Sequence, residues 1–328
     1  MLSIKLIIRL MIWISLLSLS VSCTGVQPLA KDAALPRQHV SVTRDGSRLA
    51  QYAPAYILEE SNKDFNLIGT PSARKNENGI PEVFIDPQLP TIYAMEQKVK
   101  IKGESFTNLI YRVHFQKTPL YHLTAGKNVG LITIVTLNQD EQPVLITTVH
   151  TCGCYLGIIP TSHLPDKVYP ENWPLDGQAV YGERLPSRLQ LKPSLEGQQQ
   201  LVLQIRSETH RVMHLDMMPV NDSIPATNHV TAQLKPMSAL TKLPLDDAVI
   251  SFYETEGARK GYVRNSHKPL ERLFMSWWSM DWRIGEDKDL GPKEQTGTTF
   301  YTSLKFWKQE KSDLWNFADF LEYWGWNF

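Results

Sequence analysis

Residues 130–149 read GLITIVTLNQDEQPVLITTV, two β-branched runs, Gly130–Leu137 and Pro143–Val149, on either side of the turn formers Asn138–Gln142. Val, Ile and Thr are enriched in strands, and a short polar segment between two such runs is typical of a β-hairpin. Because both runs are almost continuously apolar, we expect two central strands that are covered on both faces.

A second hairpin is predicted further along the chain. Residues 200–205 (QLVLQI) and 212–215 (VMHL) are separated by Ser207-Glu208-Thr209. Together with the strand-like pattern that starts near Lys98, these hairpins predict a β-rich body over residues 98–265.

The C-terminal part of the chain has a helical period instead. Two apolar stripes recur at helical spacing there: Leu270, Leu273, Phe274, Trp277 and Trp278, and then Phe317, Phe320, Leu321 and Trp324. We therefore predict an α+β fold, with a β-rich body built on antiparallel hairpins and a helical, Trp-rich segment over residues 266–328 that packs on it.

The N-terminus has the three parts of a secretory signal peptide. Lys5 and Arg9 precede an apolar run at residues 10–19, and small residues follow at Ser20–Ser22. The run is shorter than the about 20 residues that a transmembrane helix needs. We expect residues 1–22 to be a signal peptide of an exported protein.

Cys23 follows this leader directly, and the leader resembles a bacterial lipoprotein signal. The resemblance covers only the first 23 or so residues, and Ser20 stands where such signals usually carry Leu. It implies a diacylated Cys23 that attaches the protein to a membrane through lipid, while Thr24 favours the outer membrane over the inner one. Cleavage after Ser22 by ordinary signal peptidase, which would leave Cys23 free, is the alternative.

The composition limits the classes of function. Removing residues 1–22 leaves 306 residues, and the whole chain has 34 basic and 34 acidic residues. A balanced charge without a basic stripe argues against a nucleic-acid partner. We expect a lipid-anchored tether over residues 23–50 and a single α+β domain over residues 51–328, on the periplasmic face of the envelope.

One cluster of residues has the chemistry of a metal or thiol site. On a strand, His150, Cys152 and Cys154 would share a face, and imidazole with two thiolates suits zinc or copper. All three could bind one ion only if the chain bends, which Gly153 favours. A fourth ligand would come from another histidine; we select His214 from the candidates His114, His122, His163, His210 and His214.

Three other readings of the cysteines stay open. Cys152 and Cys154 could form a strained, redox-active disulfide, or one of them could be the nucleophile of a thiol-dependent enzyme. Both could also be buried structural thiols of a non-catalytic lipoprotein. No serine elbow, phosphate loop or HExxH motif is present, so the reaction, if there is one, is not identified by sequence.

Two further segments carry expectations. The acidic segment Asp281–Asp289 includes Arg283 and Lys288, does not have the spacing of a calcium loop, and is expected to be a solvated loop. The aromatic tail Tyr323–Phe328 is expected to pack on the body or to bind a protein partner or the membrane interface.

Overall fold

The computed structural model describes residues 36–191, 199–220 and 227–328. The predicted signal peptide and Cys23 lie outside these residues. No helix in the described ranges is long and apolar enough to cross a membrane. The protein is rich in strands, with 42% strand and 16% helix, and its largest feature is a curled sheet. The coarse prediction of an α+β protein with a β-rich body is therefore confirmed.

The described residues form sixteen strands and four α-helices. The strands are β1 (Arg37–Val42), β2 (Ala55–Glu59), β3 (Thr70–Lys75), β4 (Pro81–Asp86), β5 (Thr91–Ile101), β6 (Glu104–Thr118), β7 (Gly126–Leu137), β8 (Pro143–His150), β9 (Gly157–Pro160), β10 (Gln178–Val180), β11 (Glu183–Leu185), β12 (Gln199–Ile205), β13 (Val212–Pro219), β14 (Thr227–Pro236), β15 (Leu243–Leu245) and β16 (Ala248–Ile250). The helices are α1 (Arg48–Gln51), α2 (Pro269–Ser279), α3 (Lys293–Thr296) and α4 (Phe317–Tyr323). Short 3₁₀ helices lie at Asp64–Asn66, Asp166–Val168, Met237–Thr241, Gly257–Arg259, Phe306–Lys308 and Glu310–Ser312.

Ten strands pair in the order β13-β12-β2-β1-β14-β5-β6-β7-β8-β9. The run from β5 to β9 is antiparallel throughout, while β1 with β14, β12 with β2 and β14 with β5 are parallel pairs. Both predicted hairpins are present as β7–β8 and β12–β13. The expectation that the first hairpin is covered on both faces is also confirmed, because all but its outermost residues are buried.

The alternation of side chains along the strands builds a core on each face of the sheet. On β7, Leu131 and Val135 belong to one core, whereas Ile132 and Ile134 belong to the other. The second core also contains Phe300 and other apolar residues of the C-terminal segment. This segment therefore covers one face of the sheet, which explains why β7 and β8 are apolar on both sides.

Part of the segment that was predicted to be a tether, residues 23–50, is folded in the structure. Residues 37–42 form β1, which lies inside the sheet between β2 and β14, and residues 48–51 form α1. Only Val40 and Val42 of β1 are buried, so this strand has a half-polar sequence that resembles a linker. The folded part thus begins before residue 51, and strands also precede the predicted start of the β-rich region at residue 98.

The C-terminal segment contains fewer helical residues than predicted. Helix α4 buries Phe317, Phe320 and Leu321 as its pattern indicates. Helix α2 was expected to pack its apolar stripe on the body, but it buries Glu271, Ser276 and Ser279 instead. The reason is a buried polar cluster beneath this helix, which takes up the polar face of α2 and leaves the apolar face exposed.

One end of the sheet collects the loops that matter for function. Strands β2, β6, β8 and β12 finish at this end, and β1, β5, β7 and β13 begin there. We call it the loop end. It carries the loops that contain Ser61, Tyr121, Cys152 and Glu208, and the described chain enters the sheet there at Pro36, whose carbonyl accepts a hydrogen bond from Ser61 N at 3.0 Å.

The aromatic tail packs on the body. Trp326 is buried and its ring lies 5.0 Å from that of Trp173 and 5.8 Å from that of Tyr169. Phe328 contacts Phe106 edge to face at 5.4 Å. The aromatic rings of Trp326 and Phe328 are therefore engaged in intramolecular packing.

Candidate functional site

A tight turn follows β8 at the loop end. Gly153 N donates to the His150 carbonyl at 2.8 Å, and His150 N donates to the Cys154 carbonyl at 2.9 Å. Gly153 has φ 93°, and a Cβ on this residue would collide with the Tyr301 carbonyl oxygen. The bend that sequence reasoning required at Gly153 is present, and the residue must be glycine because of both its conformation and its close neighbour.

The turn brings the two cysteines together. The side chains of Cys152 and Cys154 are within hydrogen-bonding distance of each other, and both are free thiols. This hydrogen bond, followed by burial, raises the pKa of Cys154 well above its ordinary value. Cys154 therefore keeps its proton at neutral pH. Cys152 is buried, while Cys154 is partly exposed, so Cys154 is the more accessible of the two residues.

His150 points away from this pair. Its Nε2 donates to the carbonyl oxygen of His210 at 3.0 Å, and burial lowers the pKa of His150 to about 3. His214 lies on β13 opposite Gln204. No group of three or more His, Cys, Asp or Glu side chains that could hold a metal ion occurs among the described residues. The four predicted ligands are thus not assembled into such a group.

Two buried lysines lie beside the thiols. Lys288 Nζ donates to the Cys152 carbonyl at 2.7 Å and to the Glu286 carbonyl at 3.1 Å, and lies 4.1 Å from the centre of the Tyr301 ring. Lys268 Nζ donates to the Thr124 carbonyl at 3.1 Å. Burial opposes the charge of Lys268, but attraction to nearby acidic groups, Asp287 first among them, outweighs it and raises the pKa of Lys268. Lys268 therefore remains a cation next to the two sulfurs.

Two carboxyl groups complete the cluster. Asp287 is buried, accepts a hydrogen bond from Thr151 Oγ1, and lies 3.6 Å from Lys268 Nζ. Glu271 is buried on α2, and burial raises its pKa. The two lysines thus place positive charge near the two sulfurs, alongside the two carboxyl groups. We call these four residues, Lys268, Glu271, Asp287 and Lys288, the charged cluster.

The expectation of a solvated loop at Asp281–Asp289 is wrong for its centre. Glu286, Asp287 and Lys288 are all buried, with Asp287 1% and Lys288 0% exposed. Their polar groups are satisfied by partners: Arg259 pairs with Glu286, and Lys288 Nζ donates to the Cys152 carbonyl at 2.7 Å. A segment of alternating charges is typical of an exposed loop. Here the charged side chains are buried because they have partners that are distant in sequence.

An aromatic cleft adjoins the cysteine turn. Its volume is about 600 Å³, and its walls include Gly153 and Tyr155, the residues on either side of Cys154. The aromatic side chains of the cleft are Tyr155, Trp173, Tyr181, Trp324 and Trp326. Tyr181 also lies close enough to both thiols to interact with them electrostatically. An apolar or aromatic segment bound in this cleft would therefore lie next to Cys154.

Sequence reasoning found the cysteines and missed the charged cluster. Lys268 and Glu271 are three residues apart at the start of a helix, and Asp287 and Lys288 are neighbours in a polar segment. Each pair has the appearance of an ordinary surface sequence. The helical spacing of the exposed tryptophans on α2 was the one available signal, because it places Glu271 on the opposite face, toward the body.

No protein-family model matches the chain, and neither the curated proteins nor the solved structures that were searched contain a match.

Proposed function

We propose that the chain is an exported, lipid-anchored envelope protein that carries out thiol–disulfide exchange at Cys152 and Cys154. The single observation that carries the exchange is the tight turn after β8, which brings the two free thiols together. The leader before Cys23 supports export and lipid attachment. Outside the cytoplasm the surroundings are oxidising, and two thiols held in contact there are prone to pair as a disulfide.

The spacing of the pair favours exchange over a structural role. A disulfide between residues i and i+2 closes a small, strained ring, and strained disulfides are the labile ones. The partly exposed Cys154 is the sulfur that a substrate thiolate reaches. Attack on its Sγ breaks the Cys152–Cys154 bond, joins the substrate sulfur to Cys154, and releases Cys152 as a thiolate next to the charged cluster.

The second step completes the electron balance. A second thiolate of the substrate attacks the substrate sulfur that is bound to Cys154, which forms the substrate disulfide and releases Cys154, which takes up a proton. The substrate dithiol is oxidised and the protein disulfide is reduced, and the reverse exchange with a disulfide-bearing molecule restores the starting form. Two free thiols side by side are the arrangement expected after the forward reaction.

The charged cluster and the cleft have separate roles in this proposal. Lys268 and Lys288 provide positive charge beside the leaving sulfur, which lowers the energy of the thiolate. The aromatic cleft binds the apolar part of the substrate next to Cys154. Cys154 is thus the exchanging sulfur, Cys152 is the leaving sulfur of the forward reaction and the resolving sulfur of its reverse, and the lysines act through electrostatics.

The test uses full-length protein that has been purified without reductant or chelator from cells that export it. Incubation in glutathione buffers of graded ratio, followed by acid quenching and intact-mass measurement, should show reversible loss of two hydrogens. Cys152→Ser should instead trap glutathione on Cys154, whereas Cys154→Ser should trap it far more slowly because Cys152 is buried. The same spectra report whether Cys23 carries acyl chains, with Cys23→Ser as the control.

Two results would contradict the exchange. Thiols that stay reduced in an excess of oxidised glutathione would leave a structural lipoprotein. Zinc or copper near one per chain, lost in both serine variants, would favour the soft-metal site at the cysteines instead.

A further inference from the structure

Helix α2 exposes its apolar face. Leu273, Phe274, Trp277 and Trp278 lie on one side of the helix, and each is exposed, with Trp277 75% accessible. We call these four residues the α2 patch. Helices of globular proteins normally bury such a stripe, so α2 is inverted with respect to the body. Four large apolar side chains on one helical face indicate a surface that is covered by another molecule or by a membrane.

The inversion follows from the interior of the protein. The buried face of α2 carries Glu271, which belongs to the charged cluster, together with Ser276 and Ser279. Rotating the helix to bury the α2 patch would remove Glu271 from the cluster and expose it. The outward orientation of the tryptophans is therefore held in place by polar packing on the other side.

The chemistry of the patch fits the interface of a phospholipid bilayer. Trp is favoured at the boundary between headgroups and acyl chains, and an interfacial helix lies in that plane with its apolar face inserted. The indole nitrogen of Trp277 already donates to the Phe274 carbonyl at 3.0 Å, so the ring can enter an apolar phase without losing a hydrogen bond. The acidic residue of α2, Glu271, is buried and does not repel anionic lipids.

A second apolar element lies beside the start of α2. The loop between β6 and β7 exposes Leu120, Tyr121 and Leu123, with Leu120 81% accessible. The loop is attached to the residue before α2 by the hydrogen bond from Lys268 Nζ to the Thr124 carbonyl. Two elements distant in sequence are thus joined near the start of α2, and both expose apolar side chains.

The described chain also begins on this side of the molecule. Pro36 contacts Ser61, Lys63 forms an ion pair with Glu208, and Glu208 contacts His122 in the loop between β6 and β7. Cys23 precedes Pro36 by 13 residues. That length spans at most about 45 Å, so an acylated Cys23 would keep the loop end close to the membrane.

We propose that the α2 patch and the loop at residues 120–123 dock on the phospholipid surface to which Cys23 is attached. The inference uses the lipid anchor of the proposed function to identify the occupant of the patch, and it is independent of the thiol chemistry. Docking fixes the orientation of the protein, with the loop end and the cysteine turn near the bilayer. The substrate of the cysteines would then be a molecule that is presented close to the membrane.

The experiment measures which tryptophans enter the bilayer. Full-length protein is mixed with vesicles of phosphatidylethanolamine and phosphatidylglycerol, and the quenching of tryptophan emission by brominated acyl chains is recorded. Trp277→Phe/Trp278→Phe should lose at least half of the quenched emission, because it removes the inserted rings and keeps the surface apolar. The matched control Trp173→Phe, in the aromatic cleft, should keep the quenched emission of the unaltered protein.

A charged variant tests the docking itself. Phe274→Asp/Trp277→Asp should remove at least half of the quenching while the protein still floats with the vesicles through its acyl chains. Near-ultraviolet circular dichroism checks that the fold is retained, which is expected because both side chains are exposed. Quenching that is equal in all variants would overturn the proposal. A concentration-dependent dimer that this variant abolishes, with no quenching in the unaltered protein, would overturn it in favour of a second copy.

The result does not depend on the thiols or on acylation. Intact mass shows whether Cys23 is acylated, and unacylated protein added to the same vesicles still reports docking by the α2 patch. Failure of the glutathione experiment would therefore leave the vesicle result unchanged, and the reverse also holds.

Discussion

The ammonium group of Lys288 donates a hydrogen bond to the carbonyl oxygen of Cys152 at 2.7 Å, across 136 residues of chain. Lys288 N also donates to the Thr151 carbonyl at 2.9 Å, so one residue of the C-terminal segment fixes two residues of the cysteine turn. Because Lys288 is fully buried, this connection is shielded from water. The geometry of the two thiols therefore depends on a segment that is remote in sequence.

Lys288→Met should destabilise the protein strongly. The change leaves the carbonyls of Cys152 and Glu286 without their buried donor, and it removes the cation that balances nearby carboxyl groups. We expect the free energy of unfolding to fall by about 2–4 kcal/mol. Urea denaturation followed by circular dichroism measures it, and Lys305→Met, at an exposed lysine, should change it by less than about 0.5 kcal/mol. Equal effects of the two substitutions would show that Lys288 does not support the turn.

A feature of this arrangement was predictable from sequence when the residues that specify it lie close together in the chain. The hairpin β7–β8 was predictable because the β-branched runs and the turn between them lie within residues 130–149. The bend at Gly153 was predictable because glycine readily adopts the positive φ that a tight turn needs. These features depend on neighbours in sequence, and for that reason one sequence sufficed.

The charged cluster was not predictable in the same way. Asp287 is buried because Lys268 and Thr151 reach it from other elements, and no pattern near Asp287 reports those partners. Likewise, the apolar stripe of α2 predicted a helix correctly, but its outward orientation depends on the cluster beneath it. Burial of charge is a tertiary property, and it decided both the site and the exposed surface.

Cys152→Ala should increase the alkylation rate of Cys154. The hydrogen bond to Cys152 is the largest cause of the raised pKa of Cys154, and the thiolate is the reactive form. Removing that partner lowers the pKa toward the ordinary value. We expect the rate constant for iodoacetamide at pH 8, measured on reduced protein by mass spectrometry, to rise at least tenfold.

Urea-unfolded samples provide the control for this measurement, because Cys154 of both proteins should then react at the same rate. In the folded reduced protein, the rate at Cys154 should also rise about tenfold for each pH unit below its pKa. An unchanged rate in folded Cys152→Ala would mean that Cys152 does not control the protonation of Cys154.

Gly285→Ala should destabilise the protein more than an alanine at a comparable turn glycine. A Cβ at Gly285 would overlap Glu271 Oε2, and Gly285 also has φ 75°. Gly103 has φ 91° with open space around it, so Gly103→Ala measures the conformational strain alone. We expect Gly285→Ala to lose about 1–3 kcal/mol more than Gly103→Ala in urea denaturation.

A double variant tests whether the extra loss of stability in Gly285→Ala comes from Glu271. Glu271→Ser shortens the side chain that meets the new methyl group, so Gly285→Ala should cost less in that background than in the unaltered protein. If the cost were the same in both backgrounds, the contact between Glu271 and Gly285 would not be its source.

His210→Asn should weaken the loss of stability in acid. His210 is buried, with Nε2 donating to the Phe65 carbonyl at 2.9 Å, and burial lowers its pKa from 6.5 to about 3. Between these two values the unfolded chain binds a proton at His210 and the folded protein does not. Stability from this residue is therefore complete above pH 6.5 and is lost as the pH falls from 6.5 toward 3.

The two proteins are expected to differ in how steeply the free energy of unfolding changes with pH. Unfolding free energies are measured at pH 7.5, 6, 5 and 4, and the variant should lose up to about 1.4 kcal/mol less per pH unit than the unaltered protein in this window. Asparagine tolerates the positive φ of 55° at this position, so the backbone is not the cause of any change. Other titrating groups act in both proteins and cancel in the comparison. Identical slopes would mean that His210 is protonated in the folded protein, and its hydrogen bond to Phe65 would then have to be maintained by an imidazolium.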